Sequence, residues 1–152
     1  MDAEKRILQE RENWRKDRPF GFVAKPRKKP DGCLDLFNWD CSFPGPESTP
    51  FEGHTLSLQV EFFKDYPLSP PTFRFVSNVF HPNVYPDGVV CLDILSTTNW
   101  KPSINIKSAL LAIHYLITHP NINSPANQVA SNLYEKSFHE YSQKAKKKIN
   151  IG

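Results

Sequence analysis

Between Gly21 and Phe75 the sequence offers four strand candidates and no helix, and this run constrains the fold more than any other feature. The clearest strand is His54 to Phe63. There Leu56, Leu58, Val60 and Phe62 alternate with Ser57, Gln59 and Glu61, the period-two pattern of a strand with one buried face. Gly21 to Lys25 reads as a first strand, closed by the basic turn Arg27-Lys28-Lys29-Pro30-Asp31-Gly32. Leu34 to Phe43 reads as a second, its apolar phase slipping between Leu36 and Trp39 as at a β-bulge. Pro44 to Gly53 is a loop, and the stiff connection Lys64 to Pro71 leads to a short fourth strand around Phe73 and Phe75. Strands in succession on short connections form an antiparallel meander with one face buried.

Helices flank this sheet. Asp2 can cap a first helix running to about Lys16, with Ile7, Leu8, Arg11 and Trp14 at helical spacing. Its remaining faces carry Lys5, Arg6, Arg11, Arg15 and Lys16, either a solvated face or, with Arg18, a docking surface for an acidic partner. A central helix is expected from Ser103 or Asn105 to His119, where Ile106, Leu110, Ile113 and Ile117 form a stripe and Pro120 stops it. Ser124-Pro125 opens another, serine as cap and proline at the first position. A last helix carries Phe138, Tyr141, Ala145 and Ile149 and ends in KAKKKI, cations that suit a helix C-terminus. The expected architecture is α+β: N-terminal helix, four-stranded antiparallel meander sheet, a loop presenting chemistry, central helix and C-terminal helices.

At 152 residues the chain reads as one domain, 1–152, with a real core. Its net charge of +3 does not suggest whole-molecule attraction to nucleic acid. Cys33, Cys41 and Cys91 are an odd number without C-x-x-C spacing, which argues against a disulfide framework and a structural zinc site and suits a reducing compartment. No run approaches the length of an apolar span, and the N-terminus is charged, so neither a membrane segment nor a secretory signal is expected. Nuclear and cytoplasmic localisation follows as an expectation.

The chemistry is expected in His81 to Leu95, HPNVYPDGVVCLDIL. Pro82, Pro86 and the Asp87-Gly88 pair stiffen it into an ordered loop, with Cys91 ten residues after the His81 that opens the His-Pro-Asn triplet. Inert buried cysteine is assigned to Cys33 and Cys41. Val89 and Val90 would wall Cys91, the expected nucleophile, with Asn83 as polar helper. Three chemistries compete. A cysteine hydrolase needs an oriented histidine base, and His81 and Asn83 sit two apart beside a proline, a poor arrangement for a relay. A metal site lacks ligands near Cys91 and His81. Acyl carriage needs only an exposed thiol, an oxyanion donor and a way in for an amine, and the residues favour it.

The segment HPNVYPDGVVCLDIL resembles the active-site segment of the ubiquitin-like-protein conjugating enzymes, and of the SUMO-conjugating members in particular. RKDRPFGFVAKPRKKPDG (15–32), YPLSPPTFRF (66–75) and NWKPSINIKSALLAI (99–113) are similar to further family segments, in order, across nearly the whole chain. The basic N-terminal segment and the longer first turn resemble the SUMO branch. The resemblance implies the ubiquitin-conjugating-enzyme fold. It also implies that an activating enzyme hands SUMO to Cys91 as a thioester, which a substrate lysine attacks to leave an isopeptide bond, with no cofactor and no metal. By position, Asn83 would donate to the oxyanion or brace the loop, Tyr85 would wall the lysine channel, and His81 and Pro82 would be structural. Arg11, Arg15, Lys16 and Arg18 would contact the activating enzyme and a second, non-covalently held SUMO. SUMO ligases and substrate proteins complete the implied partners, with no membrane and no direct nucleic acid among them.

Departures from the family pattern bear on substrate choice. Asp87 and Val89 stand where Ser and Thr are usual, Ser124 replaces an Asp, Ser131 a Tyr and Thr72 a Lys, and the loop after Leu95 is shorter and lacks acidic residues. Asp87 would repel the glutamate of the family's hydrophobic-Lys-x-Glu motif and would itself attract the lysine, partly taking over from the missing Asp. Ubiquitin or another relative as modifier, a catalytically silent scaffold, and a cysteine hydrolase are the rival readings.

Overall fold

Asp2 starts the first helix by accepting the Lys5 backbone N–H at 2.8 Å, the expected N-cap, and its carboxylate suits the positive end of the helix. A computed structural model describes residues 2–151. In order, α1 is Ala3–Lys16, β1 Val23–Lys28, β2 Leu34–Pro44, β3 Thr55–Glu61 and β4 Thr72–Phe75. A one-turn 3-10 helix, Asp93–Leu95, precedes α2 (Ile106–Thr118), α3 (Gln128–Lys136) and α4 (Phe138–Ile151). The strands form one antiparallel sheet in the order β1-β2-β3-β4, the expected meander.

The bulge also lies where the apolar phase slips. Trp39 pairs with Pro26 but the next pair is Asp35 with Arg27, so Leu36, Phe37 and Asn38 have no partners on β1. Pro26 has no N–H to offer a ladder. The excursion satisfies itself: the Asp35 carboxylate accepts from Phe37 N and Asn38 Nδ2, and the Trp39 indole N–H donates to Leu36 O at 2.8 Å. β1 therefore runs three residues beyond the expected Lys25, taking Arg27 and Lys28 out of the turn.

Three sequence expectations about the fold fail. α3 begins at Gln128 with Asn127 as its cap, not at Ser124-Pro125. The N–H groups of Ala126 and Asn127 both go to the Pro82 carbonyl, at 2.8 and 3.0 Å, which ties this stretch to the Cys91 loop before helix can form. Cys33 is exposed, in the turn between β1 and β2, so only Cys41 is the inert core thiol, its pKa pushed up by burial. Phe138 is also half-exposed, although Tyr141, Ala145 and Ile149 are buried as the spacing of α4 predicts.

The core is a layer between the inner face of the sheet and α2. Trp39, Phe43, Leu56, Leu58, Val60 and Phe73 from the strands are buried with Leu110, Ile113 and Ile117 of α2. Asn105 caps α2 and Ser108 closes a reciprocal capping box. α1 is locked to the start of α2 by the buried Glu10 carboxylate, which accepts from Ile106 N at 2.6 Å, from Arg6 Nε at 2.9 Å and from the Tyr66 hydroxyl. α2 thereby runs from a fixed point to the Cys91 loop at its other end.

Candidate active site

Residues 81–91 double back along β4. Tyr85 N donates to Val89 O at 2.9 Å, Gly88 N to Tyr85 O at 2.8 Å, and Phe75 N to Gly88 O at 2.8 Å. The turn needs glycine at 88: its φ is +96°, and an added Cβ would lie 2.4 Å from Phe75 O. Asp87 fixes the same turn by accepting from Val89 N at 3.1 Å and pairs with Arg74 at 3.4 Å.

Behind the loop, His81 has no exposed surface. Its Nδ1 accepts the Asn83 N–H at 3.0 Å, so the proton sits on Nε2, which donates to Leu116 O of α2 at 2.9 Å. Burial lowers this imidazole to about 4. A neutral ring with both nitrogens engaged moves no protons. Asn83 is buried as well. Its Oδ1 accepts from Asn121 N at 2.8 Å, and its Nδ2 donates to Asn121 O at 2.8 Å and Ser124 O at 3.2 Å. Its own carbonyl accepts the Cys91 N–H at 2.8 Å. One asparagine thus couples the cysteine backbone to the loop after α2.

Cys91 is a free, partly exposed thiol in a cleft of about 290 Å³, lined also by Asn83, Leu92, Asp93, Ala112, Leu116 and Ser124. The apolar wall is Leu92, Ala112 and Leu116; Val90 turns into the core, against the sequence expectation that it would flank the thiol. Asp93 carries the carboxylate in this cleft, whereas Ser124 brings none. Tyr85 and Asp87 line a second groove, of about 580 Å³, together with Val76, Asn127 and Lys144. The structure therefore brings Cys91, Asn83 and Ser124 into one cleft, while Tyr85 and Asp87 line the second groove.

Sequence reasoning missed Tyr115 and His119, which stack at 4.0 Å and line the Cys91 cleft. The available signal was their spacing: Leu111, Tyr115 and His119 fall on a stripe of α2 off the buried one. At the far end of the molecule Arg11, Arg15 and Arg18 share a groove of about 350 Å³ with Trp14 and Lys25. Lys16 does not join them. It pairs with Glu12 at 3.5 Å and faces the cleft of Glu10 and Asp17.

The sequence profile described as ubiquitin-conjugating enzyme matches residues 6–149. The chain is 48% identical over 143 residues to the SUMO-conjugating enzyme UBC9 of Caenorhabditis elegans, covering 93% of this chain and 86% of that protein. It is 46% identical over 147 residues to the Sumo-conjugating enzyme ubc9 of Dictyostelium discoideum, covering 96% of this chain and 92% of that one. A reachable thiol on a braced loop, at the end of a helix packed on a four-stranded meander, accompanies that similarity, and the chain belongs to the ubiquitin-conjugating enzyme family.

Proposed function

We propose that the chain is a SUMO-conjugating enzyme: it accepts SUMO from the SUMO-activating enzyme as a thioester on Cys91 and passes it to a substrate lysine as an isopeptide. The observation that carries the chemistry is the free, partly exposed Cys91 thiol in a cleft on a loop whose histidine is neutral and fully engaged. The names of its relatives support the choice of modifier. In the transfer, the lysine nitrogen attacks the thioester carbonyl, the C–N bond forms, the C–S bond breaks and Cys91 leaves as thiolate. Thiolate is a good leaving group, so the amine is the difficulty. With an ordinary pKa near 10.4, roughly one lysine in a thousand is neutral near pH 7.4. Each unit of depression by desolvation recovers about tenfold, at about 1.4 kcal/mol.

Asn83 in this reading is first a brace, because both its amide oxygen and its amide hydrogens are engaged by residues 121–124. A hydrogen released to the developing oxyanion would be worth roughly 2.7–4 kcal/mol in the transition state. Tyr85 screens the approaching lysine from the neighbouring groove. Asp87 has two partners of its own, Arg74 and Val89 N, and shapes the turn more than it draws the amine. Arg11, Arg15 and Arg18 receive the activating enzyme and a non-covalent SUMO, a contact that weakens with salt. SUMO ligases complete the partners, in nucleus and cytoplasm.

The test is a gel of protein, activating enzyme and ATP with SUMO or with ubiquitin and its own activating enzyme, run with and without reductant. The reading requires a SUMO adduct lost on reduction, and a Cys91→Ser variant whose adduct resists it. A chain that stays bare with SUMO yet charges with ubiquitin would refute the choice of modifier. One that charges with neither would refute the activity.

A further inference from the structure

We propose that His119 takes a proton from the acceptor lysine as its nitrogen attacks the thioester on Cys91; this rests on the conjugating function above. His119 ends α2 and lines the cleft of about 290 Å³ that holds the Cys91 thiol. Its ring lies 4.0 Å from that of Tyr115 and within 11° of parallel, so the stack fixes the imidazole plane. The Tyr115 carbonyl accepts two hydrogen bonds from His119, from the backbone N–H at 3.0 Å and from Nδ1 at 3.2 Å. A carbonyl only accepts, so Nδ1 carries the proton and the neutral ring keeps its lone pair on Nε2. Among the described residues no hydrogen bond engages Nε2.

His81 makes the contrast. Both of its nitrogens are spent on the loop and on α2, whereas His119 spends one on orientation and has the other left to react. Two residues after His119, Asn121 exchanges hydrogen bonds with the Asn83 side chain at 2.8 Å in each direction, and the Asn83 carbonyl holds the Cys91 N–H at 2.8 Å. Imidazole and sulfur therefore stand on one braced frame. The other groups in the cleft leave the task open. Ser124 and Asn121 bring no base. Asp93 is a carboxylate, by kind a weaker base than an imidazole; its charge draws the ammonium in and favours the imidazolium once the proton has moved. The Tyr115 phenol is the remaining titratable group there, since Cys91 is thioesterified before transfer, and the face of its ring also favours the imidazolium. In the step, the lysine nitrogen bonds to the thioester carbon and gives one proton to Nε2, the C–S bond breaks and Cys91 leaves as thiolate. His119 is exposed, so the imidazolium then returns its proton to water.

The experiment starts from enzyme already charged with SUMO, ATP then being removed, and follows discharge onto a lysine peptide from mildly acidic to mildly alkaline pH. His119→Phe keeps a ring against Tyr115 but has no lone pair, and His119→Ala leaves room for a small base. The wild-type rate is divided by that of each variant, which cancels the rising neutral fraction of free lysine. Burial lowers His81 to about 4, so it stays neutral throughout. Wild type is expected to exceed both variants by roughly a hundredfold in mild alkali, the lower end for a positioned base. That advantage should shrink towards mild acid, as the imidazole takes up a proton. Added imidazole should restore the Ala variant and not the Phe variant. A His119→Phe enzyme as fast as wild type, or a loss that is equal at every pH and unrelieved by imidazole, would show that the ring only supports the loop and would overturn the assignment. A wild type that never charges with SUMO would instead remove the conjugating function, and the inference with it.

Discussion

Acid should unlatch the active-site loop through His81. The ring is buried, its Nδ1 must stay unprotonated to accept the Asn83 N–H, and burial lowers it from an ordinary 6.5 to about 4. In the unfolded chain the same ring protonates near 6.5, so between the two values the unfolded state binds more protons and stability falls as pH falls. The contribution is fully present above about pH 6.5 and lost by about pH 4, and the whole span is worth about 3 kcal/mol. Between about pH 6 and pH 5 the share is about 1 kcal/mol, from the difference in proton occupancy of the two states across that interval. Urea denaturation at several pH values measures it directly. His81→Gln keeps an acceptor and a donor but cannot titrate, so the variant, whatever its absolute stability, should lack this slope. Every other titratable group, the partly buried His114 included, is common to both proteins, so its contribution cancels in the difference. Near and below about pH 4, where the native ring itself protonates, backbone exchange at Asn83, taken relative to the free-peptide rate at the same pH, should quicken in the wild type alone, since protonated Nδ1 repels that N–H. Equal slopes for variant and wild type would refute the latch.

Two other substitutions probe the same region. Asn83→Ala strands Asn121 N–H and two carbonyls and should cost about 2–3 kcal/mol in chemical denaturation besides slowing transfer; a slowed enzyme of unchanged stability would mean that the side chain serves the oxyanion and braces nothing. Ser131→Ala should raise the midpoint of thermal unfolding, because its buried hydroxyl has no hydrogen-bond partner and removing it gains about 1 kcal/mol; a lower midpoint would show that the hydroxyl is satisfied.

The sheet was legible because its signals are local. Alternation in β3 and the phase slip at Leu36 to Trp39 depend on residues a few positions apart, and both appear in the ladder. The cap of α1 and the stripe of α2 were legible for the same reason. Cys33 was misplaced because a strand-end position says nothing about whether the turn beyond it is covered. Lys16 was grouped with the arginines by charge, although its position around the helix turns it to Glu12.

The start of α3 is the more instructive failure. Ser124-Pro125 is a sound local start signal, and it loses to the Pro82 carbonyl, which takes two N–H groups from Ala126 and Asn127, over forty positions away in sequence. The same stretch supplies Asn121 and Ser124 to Asn83. Local preference here yields to holding a loop in place. That conflict is expected where structure serves chemistry rather than stability alone. If so, restoring the local preference should have a defined cost. A chain forced to begin α3 at Pro125 would turn the Ala126 and Asn127 N–H groups into the first turn of the helix and away from Pro82. The His81–Asn83 segment would lose its outer support, and Cys91, whose N–H hangs from Asn83, would lose its fixed position with it.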